Sequence, residues 1–222
     1  MQASYYGKII VTIYWKEDGL IVTFQGFNDK DFNTFMIEGL DERMEAIRSR
    51  LQPKFTMIGE ELTDYLSATI GNEMFLHIAK HARRTVNPPK DTWLAIADNK
   101  RGYKKHPHFQ VGLFDDRLFI WLALIYELPN KRNIANQFLQ HYHQIKQLPS
   151  DFVVSLDHTK KDAFSITELT ESNLQRFHNV KKAEFLIGRH IDKSDNLLQN
   201  GKQIINYAKE TFNKLLPFYR LA

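Results

Sequence analysis

LFIWLALIY, residues 118–126, is apolar at almost every position and confines this chain more than any other stretch does. It is far short of the roughly 20 residues that a membrane helix needs, and a half-exposed strand would alternate polar with apolar side chains. A near-continuous run of this kind reads as a strand buried on both faces. Such a strand needs partners beside it and cover above and below it.

Candidate partners lie on both sides in the sequence. Thr92–Asp98 (TWLAIAD) reads as a strand, and so does His108–Phe114, where Phe109, Val111 and Leu113 alternate with more polar residues. Asp115-Asp116 predicts a tight turn, because Asp tolerates positive φ better than most residues. Asp151–Asp157 (DFVVSLD) and Ala183–Ile191 (AEFLIGRHI) read as further strands. Cover comes from stripes at helical spacing: Leu40, Met44, Ile47 and Leu51, then Phe55, Ile58, Leu62 and Leu66 beyond a kink or stop at Pro53. Ile134, Phe138, Tyr142 and Ile145 predict another helix, as do Thr170–His178 and Gln203–Leu216. The pattern is α+β, a largely antiparallel sheet with packed helices. FLHIAKH (Phe75–His81) and FLIGRH (Phe185–His190) echo one another, which points to two similar halves.

The 222 residues suit a single domain over 22–222. Residues 1–21 form an N-terminal extension with two accounts. IIVTIYW and LIVTFQGF make a hairpin about KEDG, or the start is mis-assigned and Lys16–Asp18 is a translated ribosome-binding sequence. The chain has no cysteine, which excludes disulfides, thiolate nucleophiles and iron–sulfur ligation. No stretch has the pattern of a secretory signal or membrane span, and a cytoplasmic protein is expected.

Charge is gathered in one place. Between His77 and His108 lie Lys80, Arg83, Arg84, Lys90, Lys100, Arg101, Lys104 and Lys105, opposed only by Asp91 and Asp98. The whole chain is only +4, so the remainder is net acidic. Arginine offers a planar fork for phosphate or carboxylate, and Trp93 and Tyr103 offer rings on which a base can stack. Lys80, Arg83, Arg84, Trp93, Lys100, Arg101, Tyr103, Lys104 and Lys105 are therefore the candidate ligand-binding residues. Met74–Arg84 fits a helix or a strand; the strand is preferred because Asn87-Pro88-Pro89 ends it before TWLAIAD. A strand would put Arg83 on one face with His77 and His81, assigning it the ligand, and Arg84 on the other in a structural role.

Catalytic candidates are His81, His106, His108 and His158, which could act as acid or base. His77 and His81 have the spacing of two metal ligands on a helix, but Ile78 stands where a metalloprotease carries glutamate, and no metal is expected. There is no glycine-rich phosphate loop and no nucleophile elbow, and no cofactor is expected.

HIAKHARRTVNPPKDTW, NKRGYKKHPHFQVGL, DFNTFMIEGLDERMEAI, DFVVSLDHTK, VKKAEFLIGRHI and ETFNKLLPFY together resemble the YktB-like family of uncharacterised bacterial proteins. The resemblance runs from about Phe24 to the C-terminus and implies a compact α+β fold in a bacterial, cytoplasmic protein. It implies no reaction. The residues themselves point first to a binding protein for an anionic ligand, either nucleic acid or a phosphorylated small molecule. Two alternatives stand beside it: an enzyme with histidine acid–base chemistry on a small anionic substrate, and a structural or regulatory partner with no ligand.

Overall fold

A computed structural model describes residues 23–222 with their side chains; ahead of them the backbone of Ile13–Lys16 pairs antiparallel with that of Gly19–Val22, where the hairpin account puts its strands. The apolar run becomes the middle of a seven-stranded sheet. In chain order its strands are β1 (Phe75–Ile78), β2 (Thr92–Ala97), β3 (His108–Leu113), β4 (Arg117–Leu124), β5 (Phe152–Ser155), β6 (Phe164–Ser165) and β7 (Phe185–Asp192). The spatial order is β6-β5-β7-β4-β3-β2-β1, and every pairing is antiparallel. β4 therefore has three strands on either side of it, which is where a strand apolar on both faces belongs.

Alternation divides the sheet into two unlike faces. Leu94, Ile96, Phe109, Val111, Leu113, Leu118, Ile120, Leu122, Phe152, Phe185 and Ile187 share one continuous core with the helices. Helix α1 (Gln52–Ile70) contributes Phe55, Ile58, Leu62 and Leu66, all fully buried, and α2 (Gly201–Tyr219) contributes Ile204, Phe212 and Leu215. Phe109 meets Phe212 and Tyr219 with ring centroids 4.6 and 5.0 Å away, so sheet and helix interlock through aromatic contacts. The opposite face carries a separate cluster of Phe114, Phe119, Trp121, Ala123, Ile125 and Leu186, with Trp93, Val153 and Ala163 packed against it. Among the described residues, no helical one belongs to that cluster. Loops cover this second face instead, and buried polar side chains such as His108, Gln110 and Ser155 lie on it.

Pro53 marks the expected break: Leu40–Ala46 runs through a π-helical turn (Ile47–Leu51), and the stripe restarts in α1 with Pro53 in its first turn, where a missing N–H costs nothing. The helices differ from expectation in one place. The stripe from Ile134 to Ile145 is split at His141 into Lys131–Gln140 and Tyr142–Lys146.

Two strand expectations are also corrected. β1 stops at Ile78, so Phe75–Arg84 is not one strand: after Ala79 bonds Trp93 (N···O 2.9 Å) the chain turns at His81, whose φ is +49°. Arg83 and Arg84 therefore lie in a loop, and the argument that placed them on opposite faces does not hold. Tyr126 falls beyond β4. Asp115-Asp116 does make the tight turn, closed by Phe114 N–H to the Arg117 carbonyl at 2.9 Å, but without positive φ. The two echoing segments hold different places: the first contains an edge strand, and the second lies between β5 and β4.

Gly112 is what lets the second face close. It stands between Trp93 and Phe119 in the register, and a Cβ there would press on the Phe119 ring and come within 2.7 Å of the Trp93 Cβ. Gly112→Ala is expected to cost about 1–3 kcal/mol, as overpacking does, read as a lower urea midpoint with an unchanged slope.

Candidate functional site

The second face is built from small and large residues in turn. Ala95, Ala97 and Ala123 leave room above the strands, and the loop 98–107 folds back into that room. Its Tyr103 wedges between the rings of His77 and His108, at centroid distances of 4.9 and 5.0 Å. The Trp93 indole donates to the Tyr103 hydroxyl at 3.0 Å, which fixes both rings. His77 Nε2 donates to the Asn99 carbonyl at 2.8 Å and ties down the base of the same loop.

Trp93 is the centre of a cleft of about 370 Å³. His81 meets the indole at 5.5 Å and His158 at 6.3 Å, both edge-on, while Lys104 Nζ lies 5.7 Å from its centroid. Lys80, Arg83 and Arg84 come from the loop after β1, Asp91 from the approach to β2, Tyr126 and Glu127 from the end of β4, and Thr159 from the loop after β5. Six of the expected ligand-binding residues thus converge on one cavity: Lys80, Arg83, Arg84, Trp93, Tyr103 and Lys104.

The other three do not. Lys100 lies over the Phe75 ring at 5.2 Å, and Arg101 is exposed. Lys105 borders a separate hollow with His106, whose Nδ1 faces Asp98 at 3.3 Å.

The catalytic candidates separate in the same way. His106 faces away from the cleft. His108 is fully buried with both ring nitrogens engaged, Nδ1 donating to the His106 carbonyl at 2.8 Å and Nε2 accepting from Gln110 at 2.9 Å. Burial pushes its pKa down to about 3, so it is a neutral strut with no lone pair to offer. His81 and His158 do line the cleft. His81 has Nε2 at 3.1 Å from the Thr92 hydroxyl, and desolvation, followed by Arg84 and Lys104, lowers its pKa to about 4. It is a neutral imidazole at physiological pH, held in a left-handed conformation uncommon for any residue but glycine.

His158 has a partner that the sequence did not reveal. Glu184, only 3% exposed, sits just ahead of β7 with its carboxylate 2.8 and 2.9 Å from His158 Nδ1. The same carboxylate accepts the His158 backbone N–H at 2.8 Å and that of Tyr126 at 3.5 Å. Ring and backbone of one residue are thus clamped by one carboxylate, with Nδ1–H directed at it and Nε2 at the far end of the ring. Lys131 steadies the approach to Glu184, its Nζ donating to the carbonyls of Val180, Lys181 and Ala183 at 2.5, 2.8 and 3.0 Å. Donor atoms of Asp157, His158 and Glu184 lie within 4.8 Å of one another, a spacing that suits a metal ion. Both Glu184 oxygens are already engaged, however, and the grouping is that of a positioned imidazole.

Asp91 was also overlooked, having counted only as an opposing charge. It is 5% exposed, and burial raises its carboxyl to about 6 against the opposing pull of His158, Arg84 and Lys104. The available signals were weak: an acid directly before an apolar strand at Glu184, and a carboxylate between cations at Asp91.

Among curated proteins the chain is similar to a UPF0637 protein of Oceanobacillus iheyensis, 66% identical over 89% of this chain and 96% of that protein. A UPF0637 protein of Shouchella clausii is 61% identical over 89% and 94%, and one of Listeria monocytogenes 52% over 90% and 99%. Residues 27–219 match a family described as a domain of unknown function, DUF1054. None of the described helices is long and apolar enough to cross a membrane.

The pKa depressions of buried imidazoles fix the sign of an acid response. His108 binds its proton only near pH 3 when folded and near 6.5 when unfolded. Its contribution to stability is present above pH 6.5 and lost as pH falls toward 3, at up to about 1.4 kcal/mol per pH unit. His81 and His190, both lowered to about 4, act in the same direction, and Asp91 opposes them between about 4 and 6. Unfolding free energy measured in urea should fall as pH drops from 6.5 to 5, and His108→Gln should make that fall shallower.

Proposed function

We propose, for a chain that belongs to the DUF1054 family of unknown function, that it binds a small phosphorylated molecule carrying a planar group. The observation that carries this reading is the convergence of Lys80, Arg83, Arg84 and Lys104 on one cleft beside the Trp93 indole. Four cations face Asp91 and Glu127 there, so the cavity favours an anion, and Trp93 offers a π-face next to it. The scale also fits, since about 370 Å³ lies within the range of small-ligand sites.

Nucleic acid is the weaker version of the reading. It calls for an open, continuous basic surface, and here Lys100, Arg101 and Lys105 lie apart from the cleft. A ligand-free partner role finds little support, because the large apolar side chains exposed among the described residues, Met36, Val86, Tyr126 and Val180, are scattered along the chain. The enzyme reading gains from His81 and His158 both lying edge-on to one indole.

A thermal-shift panel of mononucleotides, sugar phosphates and short oligonucleotides tests the reading. A phosphorylated small molecule at a hundred times its Kd should add about 2.7 kcal/mol of stability. Arg83→Ala and Lys104→Ala should each weaken binding by roughly 1.5–3 kcal/mol while the unliganded melting temperature stays put. Because Arg84 shares the loop, its removal should weaken binding as well. Oligonucleotides that bind far more tightly than their monomers, with a steep salt dependence, would replace this reading with the nucleic-acid one.

A further inference from the structure

Resting on that reading of the cleft, we propose that it is catalytic and hydrolyses small phosphodiesters. His158 is the general base toward water, Glu184 the positioning residue behind it, and Asp91 the acid toward the leaving oxygen. Three observations carry the assignment. The Glu184 carboxylate is buried and clamps His158 through both Nδ1 and its backbone N–H, so the ring can neither rotate nor change tautomer without losing those bonds. Nε2, at the far end of that ring, has no protein partner among the described residues, and His158 lines the cleft. Asp91 lines the same cleft, buried and without an ion-pair partner among the described residues.

This is the arrangement of a base oriented by a third group, with water in place of a side-chain nucleophile, since Thr159 spends its hydroxyl on Asp157 at 2.6 Å. Burial keeps the Asp91 carboxyl able to hold a proton near pH 6, where most aspartates have lost theirs.

A diester suits these groups better than a monoester. The loose transition state of a monoester gives a base little to do, whereas attack on a diester needs water deprotonated and the leaving oxygen protonated. In the step, the water oxygen forms a new bond to phosphorus as its proton passes to His158 Nε2. The bond from phosphorus to the leaving oxygen breaks, its electron pair goes to that oxygen, and the Asp91 carboxyl supplies the proton. Charge on the phosphoryl oxygens is met by the Lys80, Arg83, Arg84 and Lys104 rim. The products are a phosphomonoester and an alcohol. Imidazolium and carboxylate then return to their starting forms by exchanging one proton through solvent.

The test uses the full chain with bis(p-nitrophenyl) phosphate, and p-nitrophenyl phosphate as the monoester comparison, following p-nitrophenolate release. The diester should turn over, at least about tenfold faster than the monoester. Glu184→Gln should lower kcat by about 10²-fold, within the range for acid–base catalysis, with KM within about twofold; a merely structural role would not split the two constants. If that variant fails to fold, His158→Gln, which leaves Glu184 in place, carries the same comparison. No diester turnover in a protein that still binds nucleotides or sugar phosphates overturns the catalytic proposal and leaves the binding reading standing. Turnover unaffected by either variant also overturns it. Absence of both binding and turnover removes the two together.

Discussion

Strand Arg117–Leu124 buries Leu118, Ile120 and Leu122 under the helices, and Phe119, Trp121 and Ala123 on the other side, where no helical residue among those described joins their cluster. Loops must supply that second cover, and loops bring backbone groups that need partners wherever water is excluded. The far face meets this demand with polar side chains. His77 takes the Asn99 carbonyl, His108 that of His106, and the Ser155 hydroxyl lies at 2.8 Å from the carbonyl of Asp162. Glu184 receives two N–H groups from the loops above it. The polarity of this face follows from the missing helical layer, and the cleft is the space those loops leave unfilled.

The same burial sorts the charges. His81 and His108 stay neutral because burial strips them of water and cationic neighbours oppose a further charge, so neither adds a cation to the cleft. Its positive character comes from Lys80, Arg83, Arg84 and Lys104, whose long side chains reach in from the rim. Asp91 marks the opposite case, an acid whose charge is opposed by burial and only partly recovered by its cationic neighbours. A rigid sheet beneath mobile-length side chains is a division of labour suited to recognition: the floor is preorganised and the rim adapts.

Hydrophobic periodicity made most of the sheet legible, because a strand's alternation is written residue by residue. Five strands and the antiparallel α+β class follow from it directly. The chain between Phe75 and Arg84 misled because its polar residues carry no period, and the turn at His81 depends on a backbone conformation that no composition rule announces. Charge density found the cleft's cations but could not sort them, since whether Lys100 or Lys104 faces the cavity depends on how the loop 98–107 folds. Glu184 is separated from His158 by 26 residues and becomes its neighbour only when β7 pairs with β5. A contact made by strand pairing leaves no local mark in the sequence.

The sheet also ends in a particular way. Its two outer strands, Phe75–Ile78 and Phe164–Ser165, are four and two residues long. A strand from another molecule of ordinary length, about five or six residues, would find too short a ladder to dock along either border. Long apolar inner strands are the segments most prone to cross-β stacking when exposed, and here they are shielded at both sides by stubs too short to template growth. The architecture can thus carry a core strand as apolar as LFIWLALIY and still resist self-association through its edges.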